Sequence, residues 1–321
     1  MSDAVKLTVY FGERARADHG YLADALVDVF ARHRLATSIV LRGVEGYGLK
    51  HALRTDRLLS LSEDLPMVAI AVDAPERAEA ALAEVRTLPH FSGLVTWERA
   101  RLAPRPAPPD TGAQATKLTV YLGRRERAAG RPAYLAVVDL LARSGIAGAT
   151  VLLGVDGTRR GERERARFFA RNAEVPLMVI AVGDTARVDA VVGELSALVE
   201  DPLLTLERVR IGALTDAAGA EAMWQKVMVY SSTRSQHQEL VAALRGAGAP
   251  GATTVRGIWG YHAGRPPHGD RVLQLRRRVP LVTTILDRPG PMAAWFGVVA
   301  DVVGDGALVT CETVPVLDAR R

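Results

Sequence analysis

The chain has 321 residues, 48% of them apolar and 24% charged, which places it among folded globular proteins and away from disordered ones. Its net charge of +5 is spread without a continuous basic face or aromatic platforms, so nucleic acid is not the expected partner. The apolar runs fall far short of the ~20 residues that cross a bilayer, the opening MSDAVKLTVYFG has no leader-like pattern, and the single Cys311 can form no internal disulfide; a cytoplasmic protein is expected.

In chain order, KLTVY from Lys6 alternates as a strand does. Leu22, Ala25, Leu26, Val29 and Phe30 follow at helical spacing. A strand then runs into VLRGVEGYGLKH (40–51), where Gly43, Gly46 and Gly48 interrupt it, and a loop of about twenty residues follows. The residues 67–72 are apolar at consecutive positions, which predicts a strand buried on both faces. Ala78, Ala81, Leu82, Val85 and Leu88 predict a second helix, and LVTWERARL from Leu94 a closing strand.

After the proline-rich 103–116 the same order returns. KLTVYLG opens at Lys117, VLLGVDGTRRGE carries the glycines at 151–162, VPLMVIAVG follows at 175, and LLTLERVRI closes from 203. A second connector, 212–225, leads to KVMVYSS at 226, TVRGIWGYHAGR at 254–265, VPLVTTILD at 279 and LVTCETVPV at 308. Residues 27–46, 138–157 and 241–260 align without a gap. The second-helix stripe recurs as Val188, Val191, Val192, Leu195 and Leu198, then as Met292, Trp295, Phe296, Val299 and Val302. The period is too long for a solenoid unit. Three tandem α+β domains are therefore expected at 5–102, 117–211 and 226–317, each a ferredoxin-like βαββαβ unit, with extended linkers at 103–116 and 212–225. Two helices cover only one face of a four-stranded sheet. Three sheets turned inward would bury the other faces, giving a single-chain pseudo-trimer.

The chemistry-bearing residues are sparse. Arginines 159, 160, 163, 165, 167 and 171 follow the second glycine motif, and 265, 271, 276, 277 and 278 the third, which suits an anionic ligand or partner. Glycines at a strand exit can bring backbone N–H groups to an anion, or simply make a tight turn. Arginine beside them can make bidentate phosphate contacts. None of the seven histidines shows metal-helix spacing; His262 and His268 flank AGRPP in a loop. Cys311 sits on a closing strand and reads as packing, as do Trp295 and Phe296. Glu63 and Asp64 read as loop carboxylates, and no serine elbow or Walker loop occurs.

Through KLTVYFGE, VLRGVEGYG and LSEDLPMVAIAVD, each copy resembles the domain-of-unknown-function family 190, itself similar to the PII signalling proteins. The resemblance implies a non-enzymatic, ligand-sensing regulator that binds a small anion, an adenine nucleotide for instance, in clefts between subunits. It implies that Gly46, Tyr47 and Gly48, with Gly260 and Tyr261 in copy three, shape one wall of a cleft. Gly304, Asp305 and Gly306 resemble the second glycine loop, and Arg99, Arg101, Arg208 and Arg210 stand where relatives reach phosphate. The loops 49–64 and 262–278 would meet a partner, and the family association points to a fluoride-channel-type membrane transporter. Copy two has Thr158 in place of the aromatic and copy three lacks the terminal arginine pair, so the three clefts are not equivalent. A ligand-free adaptor and a small-molecule enzyme on a ferredoxin-like barrel are the competing classes.

Overall fold

In the computed structural model, residues 3–17, 20–47, 54–55, 64–103, 115–159, 162–163, 175–200, 202–214, 223–231, 234–262, 266–269 and 280–320 are described. The chain is α+β, with six helices among these residues and one large antiparallel sheet. None of these helices is long and apolar enough to cross a membrane.

Each repeat supplies four strands and two helices. The opening strands are Asp3–Gly12, Ala115–Gly123 and Met223–Ser231; the first helices are Leu22–Arg32, Ala133–Arg143 and Arg234–Ala247. The second strands are Thr37–Tyr47, Gly148–Leu153 with its continuation Asp156–Arg159, and Ala252–His262. The third strands are Pro66–Asp73, Pro176–Gly183 and Leu281–Asp287, and the second helices Pro75–Thr87, Thr185–Leu198 and Pro289–Val303. The closing strands are Gly93–Ala103, Leu203–Ile211 and Leu308–Arg320. The second helices begin as their sequences dictate: Pro75 and Pro289 occupy the first turn, where no N–H is missed, and the Asp184 side chain accepts from the Ala186 and Arg187 N–H groups.

Within a repeat the strands lie in the order closing, opening, third, second, all antiparallel. Both faces of the opening strand are buried, and its two-residue period sorts the side chains. Leu7, Val9 and Phe11 pack under the helices of repeat one, while Ala4 and Tyr10 join a separate cluster. That second cluster draws Ile39, Ile70, Leu152, Met178, Val255 and Val282 from all three repeats. Three helix-covered cores therefore surround a fourth, shared one, and the sheet faces without helices are buried against each other.

The repeats interlock through their strands. The end of the second strand of repeat one pairs with the start of that of repeat three (Tyr47↔Ala252), the end of that of repeat three with the start of that of repeat two (His262↔Gly148), and the end of that of repeat two with the start of that of repeat one (Arg159↔Thr37). The closing strands pair in the opposite sense: Ala103↔Leu204, Arg210↔Cys311 and Val316↔Thr96. Every seam thus carries two strand pairings, one donated from each side. The closing strand of repeat three runs on to Arg320 because Val316–Arg320 pairs along Thr96–Gly93 of repeat one.

Candidate functional site

Two features lie where the repeats meet: a charged ring at the centre and the three seams. The ring begins with register. Lys6 stands opposite Glu98, Lys117 opposite Glu207 and Lys226 opposite Glu312, one pair on the axis-facing side of each opening and closing strand. All six are buried. Each ammonium also reaches the carboxylate of another repeat. Lys6 contacts Glu98 at 2.6 Å and Glu207 at 2.5 Å; Lys226 contacts Glu98 at 2.9 Å and Glu312 at 3.4 Å. Lys117 contacts Glu207 at 3.3 Å and Glu312 more closely. The result is a closed circuit of alternating charge, Glu98–Lys6–Glu207–Lys117–Glu312–Lys226 and back to Glu98. Glu98 further accepts from Thr8 at 3.0 Å and Thr96 at 2.8 Å. One oxygen from each carboxylate lies within 4.8 Å of the others, a spacing that would attract a cation; the three ammoniums already provide that charge.

The ring orders its own titration. Burial works against the Lys6 and Lys226 charges, but the carboxylates outweigh it and hold both above the ordinary lysine value. Burial likewise opposes the Glu98 and Glu312 charges, and the lysines hold both below the ordinary carboxylate value. Lys117 is the exception: burial pulls it down and its two carboxylates do not fully compensate. The stability contributed by Glu98 and Glu312 is present above the unfolded carboxylate value of 4.5 and is lost as pH falls through their lower folded values. That from Lys6 and Lys226 is present below 10.5 and lost as pH rises through their higher folded values. Urea midpoints measured across pH should therefore decline toward both extremes, the acid limb through Glu98 and Glu312 and the alkaline limb through Lys6 and Lys226.

At the seams the glycines have a packing role. A Cβ on Gly46 would stand 2.5 Å from the Ala252 carbonyl oxygen, and one on Gly157 or Gly260 would press still closer on the Ser38 or Ala149 carbonyl oxygen. The first glycine of each motif is equally confined: a Cβ on Gly43 would meet Pro66, and those on Gly154 and Gly257 would meet the Pro176 carbonyl oxygen and the Thr150 side chain, all under 3 Å. These glycines let a strand of one repeat lie against the backbone of the next.

The tyrosine that follows the second glycine crosses the seam. Tyr47 is buried in the helix-covered core of repeat three with Leu240, Leu244 and Val303. Tyr261 is buried in that of repeat two with Val137 and Leu141. Both rings, which the family resemblance implies help shape a cleft wall, sit as wedges between repeats. Burial raises both hydroxyls above the usual tyrosine range, and Arg245 partly opposes this at Tyr47. Repeat two, with Thr158 at this position, uses hydrogen bonds instead. Ser38 Oγ and Thr158 Oγ1 lie 2.8 Å apart, the Thr158 N–H donates to Ser38 Oγ at 2.9 Å, and Thr37 donates to the Thr158 carbonyl at 3.1 Å. Arg163 ties the same hairpin to repeat one, donating to Asp24 at 2.7 Å, Asp28 at 2.5 Å and Asp156 at 2.6 Å.

The remaining expected site residues divide between the seams. Glu98 and Ala100 face the axis, so strand alternation turns Arg99 and Arg101 to the helix side. Arg99 is exposed, and Arg101 acts electrostatically on Asp189 of repeat two, whose carboxyl burial raises. Arg208 is exposed, and Arg210 donates to the Leu214 carbonyl at 3.3 Å. Gly304–Gly306 forms a 3₁₀ turn between helix and closing strand, beside Val303 of the cluster that holds Tyr47. Gln236 caps the helix carbonyl of Val303 at 3.0 Å just before this turn. Tyr47 lies by Arg245, toward the C-terminal end of the first helix of repeat three, and the 304–306 turn by Gln236, near that helix's other end, so the two do not converge; Gly260 and Tyr261 lie at another seam and the arginines at two. Gly48, Glu63, most of the loops 49–64 and 262–278 and most of both linkers lie outside the described residues. Cys311 is fully buried in the core of repeat three, Trp295 and Phe296 pack against that core, and Asp64 accepts from the Arg14 N–H at 2.6 Å.

The lysine–glutamate ring went unread in the sequence although its signal is there. One lysine sits inside each opening apolar strand, and one glutamate in each of LVTWERARL, LLTLERVRI and LVTCETVPV. A charge repeated at the same place inside three buried strands requires a partner.

A solved structure of aspartate kinase from Synechocystis is similar at 11% identity over 99% of this chain; the TM-score of 0.25 is too low to mark a shared fold. The chain spans 45% of that protein's length. The sequence model of the domain-of-unknown-function family 190, described as "Uncharacterized ACR", matches three times, at residues 4–102, 115–211 and 225–316. With nearly all of its length matched, and the three matches falling on the three interlocked βαββαβ units, the chain belongs to the domain-of-unknown-function family 190.

Proposed function

We propose that the protein is a non-enzymatic regulator of PII-like architecture, three ferredoxin-like units forming a pseudo-trimer in one chain, that senses a small anionic ligand at a seam. The observation that carries this reading is the seam between repeats one and three. There the Gly46–Tyr47 strand end meets the helices of repeat three, and Arg245 acts on Tyr47. An arginine at this seam suits a phosphate-bearing ligand such as an adenine nucleotide. The second strand of repeat one ends at Tyr47, so a ligand at this seam would act on that strand end and through it on the affinity for a partner. The family resemblance nominates a membrane transporter of fluoride-channel type for that partner, in the cytoplasm.

A thermal-shift screen with adenine nucleotides tests the reading. At 100 times its dissociation constant a ligand stabilises by about 2.7 kcal/mol, a shift of several degrees at most in a chain of this size. Loss of the shift in Arg245→Ala assigns the seam between repeats one and three; loss in an Arg99→Ala/Arg101→Ala variant assigns that between one and two. A flat response overturns ligand sensing and favours a ligand-free adaptor. The burial of Tyr47 and Tyr261 as wedges supports that second reading, because it accounts for the glycine motifs by packing alone.

A further inference from the structure

The ring borders a cavity of about 40 Å³ whose polar lining is Lys6, Lys117, Lys226 and Tyr10 with the threonines 8, 119, 253 and 284, and apolar side chains cover the rest. The three ring glutamates do not line it. An ammonium has three donors; each ring lysine donates a hydrogen bond to one carboxylate and forms an ion pair with a second, so its donors are not exhausted. Thr119 supplies an independent observation. It is 1% exposed, and among the described residues its hydroxyl has no hydrogen-bond partner. Its counterpart in repeat one, Thr8, donates to Glu98, and in repeat three the position is Met228. Thr119 lies two residues along the strand from Lys117, the ring cation least compensated by its carboxylates.

The cavity therefore presents cations and hydroxyl donors, with the anionic acceptors set behind the lysines. A buried donor without an acceptor is costly, and an acceptor-only guest removes that cost. About 10–15 Å³ of such volume accommodates one water-sized particle, so 40 Å³ admits a small anion with one or two waters but no nucleotide. We propose that this axial cavity binds one small monovalent anion of halide size, held by the Lys117 ammonium and the Thr119 hydroxyl with Lys6 and Lys226 completing its shell. The ring itself is neutral, so affinity comes from proximity: the lysines border the guest and the carboxylates stand beyond them. The site is separate from the seams and stands or falls independently of nucleotide binding.

Crystals of the full chain grown in sodium bromide, with data collected at the bromine absorption edge, give the direct test. One anomalous peak is expected in the cavity, within about 3.5 Å of Lys117 Nζ and Thr119 Oγ1. A cavity holding only water overturns the proposal. In solution, the melting midpoint should rise by several degrees in bromide over gluconate at equal ionic strength, and Thr119→Val should lose that difference. Equal midpoints for the unaltered protein in the two salts, or a full bromide effect in Thr119→Val, also overturn it.

Discussion

Replacing Lys6 by methionine is expected to destabilise the protein by about 3–5 kcal/mol, the range for leaving a buried charge without its partner. Lys6 is the ring cation of Glu98's own repeat and bridges to Glu207 across a seam, so one substitution takes a counter-charge from two buried carboxylates. Protonation of Glu98 would relieve part of the loss, and the variant should therefore recover relative to the unaltered chain as pH falls. Chemical denaturation at pH 7 and pH 5 checks both statements. A loss below 1 kcal/mol at pH 7 would mean that Glu98 and Glu207 are not buried as charges. The six-fold replacement of the ring by methionine and leucine should behave differently. Buried ion networks exchanged whole for apolar side chains are commonly neutral or stabilising by about 1–4 kcal/mol. The ring's contribution would then be specificity: alternating charge admits only the cyclic arrangement in which every lysine finds two glutamates.

The same ring shows which parts of the architecture were legible in sequence. Helix stripes such as Ala78–Ala81–Leu82–Val85 and the consecutive apolar residues 67–72 announce their elements because each pattern is local and period-driven. Gap-free alignment of 27–46, 138–157 and 241–260 makes the three copies plain. Partnership across copies is another matter. Lys6 meets Glu207 over 201 positions and Lys117 meets Glu312 over 195, and such pairing follows from the packing of sheets, which no local period encodes. The glycine motif was visible but ambiguous, since a turn, an anion cradle and a close backbone approach all call for the same residue. Only the position of the Ala252, Ser38 and Ala149 carbonyls decides among them, and each belongs to a different repeat from its glycine. Tyr47 was read as a wall of a cleft for the same reason: its surroundings are Leu240 and Leu244, some two hundred residues away.

Gly157→Ala should then be the most disruptive single-methyl addition at a seam. The new Cβ would be driven against the Ser38 backbone, which cannot rotate away as a side chain could. Ser38 is itself engaged by Thr158 through Oγ, and the flanking pairs Asp156↔Val40 and Arg159↔Thr37 fix the register. Relief requires the two strands to separate, and the loss should lie at or above the upper end of the roughly 1–3 kcal/mol typical of overpacking. Gly193→Ala is the control: it sits in a helix with nothing within 4 Å of the added carbon, and alanine is favoured over glycine there by about 1 kcal/mol. The two substitutions add the same atom and should shift the urea midpoint in opposite directions. Because the repeats are covalently joined, an opened seam in Gly157→Ala would leave the particle at 34.5 kDa and would instead expose the hairpin around Arg163 to limited proteolysis. Equal and small effects of the two substitutions would show that the strands of repeats one and two do not lie in contact at Ser38, and the cyclic interlocking of the repeats would fail with them.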